Sequence, residues 1–322
     1  MTEKQKRQQS EVPHYVLDYA PLVYLHSQEK YFPSDISAQL SSSNTQPEAN
    51  FTVVSGASSP LTLDNLNELN SFGTVYLTSK VDITTNPAWL NGVVPDSSGK
   101  TENAVPCAII VNDHGSGNVD AFYMYFYAFN WGGVVLKQQF GDHVGDWEHN
   151  MIRFSDGIPT YIWYSQHSNG EAFAYKVVKK SGLRPITYSA NGSHANYATT
   201  GDHDHTIPNF NLPAGLVEDH TDAGTLWDPM LSAYYYSYTP ISSSAGTFAA
   251  YDTSTPVNWL YYTGKWGDEQ YPDSDKRQKN FLRLGFYKYV SGPTGPEDKQ
   301  LNRTKVCPDN GVNCILRVVL GP

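Results

Sequence analysis

The sequence predicts a mostly β protein, an antiparallel β-sandwich with long aromatic-rich loops and a few short helices. Three observations point there. The chain carries 23 tyrosines, 13 phenylalanines and 7 tryptophans, residue types that suit pleated, half-buried surfaces. Its 25 glycines and 20 prolines are scattered rather than clustered, as many short strands joined by turns require. Between residues 121 and 190, apolar and polar positions alternate in runs separated by turn signals. The 322 residues show no internal repeat and no compositional break, so residues 14–322 read as one domain behind a polar, disordered segment at 1–13.

Short helices are expected near residues 34–40 and 62–69, the second because Leu63, Leu66 and Leu69 fall at helical spacing. AFYMYFYAF (121–129) alternates Phe122, Met124, Phe126 and Ala128 against Tyr123, Tyr125 and Tyr127. That pattern fits a strand with one core face and one aromatic, half-wet face. DWEHNMIRF (146–154) and IPTYIWYSQH (158–167) flank the turn Ser155-Asp156-Gly157, a hairpin signal. A second turn at Ser168-Asn169-Gly170 leads into EAFAYKVV (171–178), and RPITYSA (184–190) follows as the next strand of a meander. The simplest closed form of such a meander is a sandwich. The C-terminal third is rich in Trp, Tyr and Pro and reads as loops. Within it CPDNGVNC has the turn residues to bring Cys307 and Cys314 into a disulfide, leaving Cys107 as a buried free thiol.

Composition excludes some partners. With a net charge of −10 and no Lys/Arg run beyond the first seven residues, the chain lacks the basic face that nucleic acid requires. No apolar run approaches the roughly 20 residues of a transmembrane helix. The start MTEKQKRQQSEVP has no apolar secretion-signal core, which argues for a cytoplasmic protein. The expected disulfide and the sequons at Asn50, Asn191 and Asn302 argue instead for a secreted or secretory-pathway protein.

The chemistry concentrates in GDHVGDWEHN (141–150), where a chain with 17% charged residues gathers two histidines, three acids and a tryptophan. On a strand, residues 146, 148, 150, 152 and 154 share a face, apolar at its far end and carrying Asp146 and Glu148 at its near end. Two carboxylates about 7 Å apart repel unless a cation or shared proton lies between them. His143 lies just before them, His167 ends the neighbouring strand, His194 follows in NGSHANY, and His203 and His205 share a side of GDHDH. Carboxylates mixed with imidazoles are the ligand kit of a divalent metal: calcium, magnesium, manganese or zinc. The competing structural reading pairs Asp146 and Glu148 with Arg153 or Arg184. Trp147, on the opposite face, is expected to pack, and the tyrosines of 121–129 to serve sheet packing rather than sugar stacking. No Gly-x-Ser-x-Gly elbow, His-Glu-x-x-His helix, phosphate loop or dinucleotide fingerprint is present.

The segments YAPLVYLHSQEKYFPSDI (19–36), VPCAIIVNDHG (105–115), GDHVGDWEHNMIRF (141–154), YSQHSNGEAFAY (164–175), YSANGSHANYATTGDHDH (188–205) and WGDEQYPDSD (266–275) resemble the vacuolar protein sorting-associated protein 62 family, chiefly its fungal branch. Members of that branch commonly begin with a secretion signal; the family name implies no chemistry. The His143, Asp146 and Glu148 spacing behind an aromatic strand is also similar to the necrosis- and ethylene-inducing-like cytolysins and their motif Gly-His-Arg-His-Asp-Trp-Glu. There the corresponding groups surround a divalent cation on a β-sandwich that binds sphingolipid sugar headgroups. The resemblance therefore implies metal ligation by His143, Asp146 and Glu148. This chain departs by offering Asn130 where those proteins supply another Asp, and Gly145 in place of their second histidine.

Two functions are expected to compete. One is a divalent-metal-binding sandwich recognising a glycan or lipid headgroup. The other is a metal-assisted hydrolase or lyase, including a biosynthetic enzyme acting on a small molecule, with His167 or His194 as base and His203 and His205 completing the metal set.

Overall fold

The computed structural model describes residues 11–135, 138–167, 169–204, 218–241, 244–281 and 285–321. At its centre two 13-residue strands, Asn118–Asn130 and His143–Ser155, pair antiparallel. They lie within an eight-stranded sheet. On one side it continues through Cys107–Gly115, Ala233–Ile241 and Ser244–Ala250, and on the other through Ile158–Gln166, Asn169–Ala174 and Leu316–Arg317. The expected hairpin closes at Asp156 and Gly157, whose φ values of 50° and 76° give the left-handed pair a two-residue turn needs. The next turn comes earlier than expected. Gln166 already pairs with Asn169, so His167 sits in the turn at φ 57°.

The segment read as the next meander strand leaves this sheet altogether. Arg184–Ser189 pairs in parallel with Leu22–Leu25 in a second, five-stranded sheet that also holds Lys180–Ser181, Thr225–Trp227 and Asn196–Tyr197. Packing of this sheet on the large one corrects the half-wet face. Tyr123, Tyr125 and Tyr127 are at most 1% exposed, clustered with Val23, Leu25 and Trp227. Burial is tolerable where a phenol finds an acceptor, as Tyr123 does at the Val16 carbonyl (2.6 Å) and Tyr125 at Asn150 Oδ1 (2.9 Å). The opposite face packs Phe122, Met124, Phe126, Trp147 and Trp163 against Trp259 and Trp266. The central strand is thus buried on both faces.

Neither expected helix is an α-helix. The turns at Ala38–Leu40 and Leu66–Phe72 are 3₁₀, and the α-helix among the described residues is His14–Asp18. Leucines three apart match the three residues per turn of a 3₁₀ helix better than the 3.6 of an α-helix. Leu63, Leu66 and Leu69 still face the core, at 5%, 0% and 1% exposure. Residues 1–10 of the expected disordered segment lie outside the described residues, while Val12 packs against the tyrosine-face core. Cys307 and Cys314 are bridged, and Cys107 is a buried free thiol.

Candidate functional site

Register places Asp146 opposite Tyr127 and Glu148 opposite Tyr125, so both carboxylates start on the tyrosine face at one end of the sandwich. Both are buried, at 6% and 4% exposure. The arginines expected to compensate them are committed elsewhere. Arg153 forks onto Asp120 with two 2.7 Å bonds, and Arg184 onto Asp228 with two of 2.6 Å. Among the described residues no lysine or arginine forms an ion pair with Asp146 or Glu148. The neighbouring cations are imidazoles, with Lys299 acting on Glu148 from beyond ion-pair distance.

His194 is fully buried and stacks on the Tyr127 ring at 3.7 Å. Its Nδ1–H donates to Asp146 Oδ2 and its Nε2–H to the Tyr31 carbonyl, each at 2.9 Å, with Glu29 Oε1 3.8 Å from Nε2. A ring donating from both nitrogens is an imidazolium. Burial opposes that charge, but the hydrogen bond to Asp146 and the nearby Glu29 carboxylate hold the His194 pKa up at about 9. Burial alone would raise Glu29. The neighbouring His194 charge, with N–H donors from Gly192 (2.8 Å) and Tyr31 (2.8 Å), holds the carboxyl below its usual range instead.

Glu148 is served by Ser165 Oγ–H at one oxygen and by the His167 N–H (3.1 Å) at the other. Burial and the charge of Asp146 push it up to about 7. His167 Nε2 donates to Asp219 at 2.8 Å, and Asp219 also accepts from Ser193 Oγ (2.6 Å) and the Tyr197 hydroxyl (2.7 Å). Burial opposes the His167 charge, and Asp219 raises it to about 9. His167 and His194 both adopt φ 57°, a left-handed conformation that costs a non-glycine residue about 1 kcal/mol or more.

The remaining candidates separate. His143 begins its strand opposite Asn130, and its Nδ1–H donates to the Gly145 carbonyl at 2.6 Å. Burial keeps the ring neutral, with Nε2 as its acceptor. His203 bonds Thr221 Oγ1 at 2.9 Å and stacks on Tyr197, on the Asp219 side of the network. His205 lies outside the described residues. Gly145 has a steric reason for not being a histidine: at φ 67°, a Cβ there would lie 2.2 Å from the Trp266 carbonyl oxygen.

As a cation site the fit is partial. His143 and Asp146 retain acceptor atoms, while both Glu148 oxygens are engaged by internal donors. Among the described residues, the His/Cys/Asp/Glu group whose ligand atoms all lie within 4.8 Å is the exposed trio Asp202, Glu218 and His220, on the hairpin that carries His203.

Sequence reasoning missed Glu29, Tyr31, Trp131 and Asp219. Glu29 and Tyr31 belong to the 19–36 segment that carries the family resemblance, the available signal for them. With Trp131, Asn191 and Gly192 they line a cleft of about 610 Å³ directly over the His194 network. Gly192, at φ 76°, lets Trp131 seat against it, since a Cβ would lie 2.7 Å from the indole. At the Asn191 sequon, Ser193 is buried on Asp219, whereas Asn50 and Asn302 are exposed.

Residues 115–286 match the family model described as vacuolar protein sorting-associated protein 62. The chain is 37% identical to the Saccharomyces cerevisiae vacuolar protein sorting-associated protein TDA6, over 92% of this chain and 68% of that protein. It is 35% identical to vacuolar protein sorting-associated protein 62 of the same yeast, over 94% of this chain and 69% of that protein. Solved structures with some likeness include Necrosis and Ethylene inducing Protein 2 from the agent of cocoa's Witches Broom disease. That pair shares 14% identity over 59% of this chain and 69% of the other, with a TM-score of 0.28. Another is NLPPya in complex with glucosamine, at 9% identity, 69% and 71% coverage and a TM-score of 0.30. At such TM-scores the likeness decides neither ligand nor chemistry. The two yeast relatives and the family match decide the family: the chain belongs to the vacuolar protein sorting-associated protein 62 family.

Proposed function

We propose that this protein recognises a polar ligand, a glycan or a lipid headgroup, in the cleft beside Tyr31 and Trp131, with a divalent cation drawn to the carboxylates beneath it. The cleft itself carries the reading. It offers two aromatic walls, the Asn191 amide and the Glu29–Gly192 rim within one concavity, the mixture that fixes a hydroxyl-rich ligand by stacking and hydrogen bonds. The cation would be held first by His143 and Asp146, which retain acceptor atoms, and would share Glu148 with its Ser165 and His167 donors. Calcium, magnesium, manganese and zinc all suit oxygen donors with a neutral His143 beside them. The disulfide and the exposed Asn50 and Asn302 sequons support a secretory-pathway setting.

The test is binding of a glycan panel and of headgroup-bearing vesicles before and after chelation, with elemental analysis of the undialysed protein. Expected are saturable binding, a stoichiometric divalent ion, and loss of both on chelation. An ion-free protein that still binds would remove the cation from the account, and absence of any ligand in the panel would remove the function.

A metal-assisted hydrolase or lyase is the second reading, favoured by the His167–Asp219 pair beside Glu148. It loses one expected base, because both His194 nitrogens are already donors. Turnover abolished by His167→Ala with the fold intact would restore it.

A further inference from the structure

We propose that the cavity between the Trp147–Trp163 face of the large sheet and the segment 298–310 is an oxyanion site, taking a phosphate-type group either free or on a lipid headgroup. It is distinct from the Trp131 cleft and does not depend on the function proposed there. The cavity measures about 160 Å³, room for one such group with little to spare.

Its cations have no carboxylate paired with them among the described residues. Of the described arginines, Arg153, Arg184, Arg277 and Arg317 each pair with a carboxylate. Arg303, 5% exposed, forms no ion pair among the described residues. It spends its donors on neutral acceptors: the Lys299 carbonyl (2.8 Å), the Val306 carbonyl (3.4 Å) and His149 Nε2 (2.8 Å). The Phe122 and Trp163 rings lie 5.1 and 5.8 Å from the guanidinium carbon, softening but not cancelling its charge. Asp120, already forked by Arg153, acts on it only from beyond ion-pair distance, and a buried guanidinium with no directly paired anion is costly enough to require a reason.

His149 extends the pattern. Its Nε2 accepts from Arg303, so the ring proton resides on Nδ1, and that N–H has no acceptor among the described residues. The indole N–H groups of Trp147 and Trp163 likewise have no acceptor among the described residues. All three side chains line the cavity and are at least nine-tenths buried. Buried donors are rarely left unmatched, and an oxyanion supplies only acceptors. Lys299 adds a half-buried ammonium in no ion pair among the described residues. Two acids face the same space. Glu148 is turned to Ser165 and His167, and Asp298 is exposed and accepts from Thr294 Oγ1 at 2.7 Å.

Phosphate and sulfate are titrated against the full chain at constant ionic strength in chloride, reading melting temperature and heat of binding. Saturable stabilisation is expected. Lys299→Met, whose side chain holds nothing in place, should weaken affinity about tenfold, and Arg303→Met should abolish binding. Trp131→Ala should leave it unchanged. Co-sedimentation with phosphatidylcholine vesicles, with and without phosphatidic acid, separates the sources: sedimentation only with phosphatidic acid assigns a headgroup, and none beside saturable phosphate binding assigns a free anion. No effect of phosphate or sulfate together with no sedimentation overturns the proposal. So does affinity that survives Lys299→Met, or that disappears in Trp131→Ala.

Discussion

Replacing His194 by asparagine removes the buried cation while keeping a residue type that tolerates φ 57°. The structure gives the size of the effect. Asp146 and Glu29 are 6% and 7% exposed and both lie against this ring, so its loss leaves two buried carboxylates with no imidazolium between them. Removing one partner of such a buried arrangement costs about 3–5 kcal/mol. The titration of His194 gives an independent figure. A pKa raised from 6.5 to about 9 corresponds to about 3 kcal/mol, at about 1.4 kcal/mol per pH unit. Because the folded-state value is the raised one, this stabilisation is fully present below about pH 6.5 and is lost as pH rises through about 9. Urea unfolding of wild type and His194→Asn in chelator, from pH 6 to 9.5, should show a gap of about 3 kcal/mol that narrows towards the alkaline end. His167, raised in the same direction, is common to both proteins and cancels in the difference. A gap that stays constant with pH, or one near zero at pH 6, would refute the buried imidazolium.

Gly145→Ala should destabilise by more than about 2 kcal/mol, because it adds a Cβ 2.2 Å from the Trp266 carbonyl on a left-handed backbone. Thermal unfolding measures it, and an unchanged melting temperature would remove the steric account of that glycine. The Cys307–Cys314 bridge closes a short loop, with sequence separation 7, so the double alanine variant should lose about 2.5 kcal/mol. A calorimetric scan with and without reductant reads it in the wild type, and the variant should be insensitive to reductant. Arg184→Met should cost about 3 kcal/mol by stranding Asp228, part of whose partnership is also the Met230 N–H at 3.2 Å. A loss under about 1 kcal/mol in urea would mean that solvent already satisfies that carboxylate.

The sandwich was legible because its signals are local. Alternation in 121–129 and 146–154 fixes which side chains share a face, and Asp156-Gly157 marks the hairpin that joins the second run to the next. The opposite faces assigned to Trp147 and Asp146 follow from strand period alone. What failed depends on partners distant in sequence. The tyrosine face was expected to be half-wet because nothing in 121–129 reveals that Leu22–Leu25 and Thr225–Trp227 come to cover it. Arg184–Ser189 continues the local strand pattern, and only a parallel partner some 160 residues away, as in Ile186 with Leu22, takes it into the other sheet. The site divides the same way. His143, Asp146, Glu148, His167 and His194 stand out by residue type. The groups that define their chemistry, Glu29, Tyr31, Ser165 and Asp219, arrive from elements scattered between residues 29 and 219.

The measurement that bears most directly on the central claim is a ligand-observed NMR titration of glycans and soluble headgroup analogues against wild type and Trp131→Ala. Trp131 walls the cleft, and the hydrogen bonds to Asp146 and Glu29 come from His194, Gly192 and other groups rather than from its indole, so its loss should leave the fold intact. The account predicts saturation transfer to at least one hydroxyl-rich ligand in the wild type and its disappearance in Trp131→Ala. Equal transfer in both proteins would place recognition elsewhere on the sandwich and contradict the assignment of the cleft.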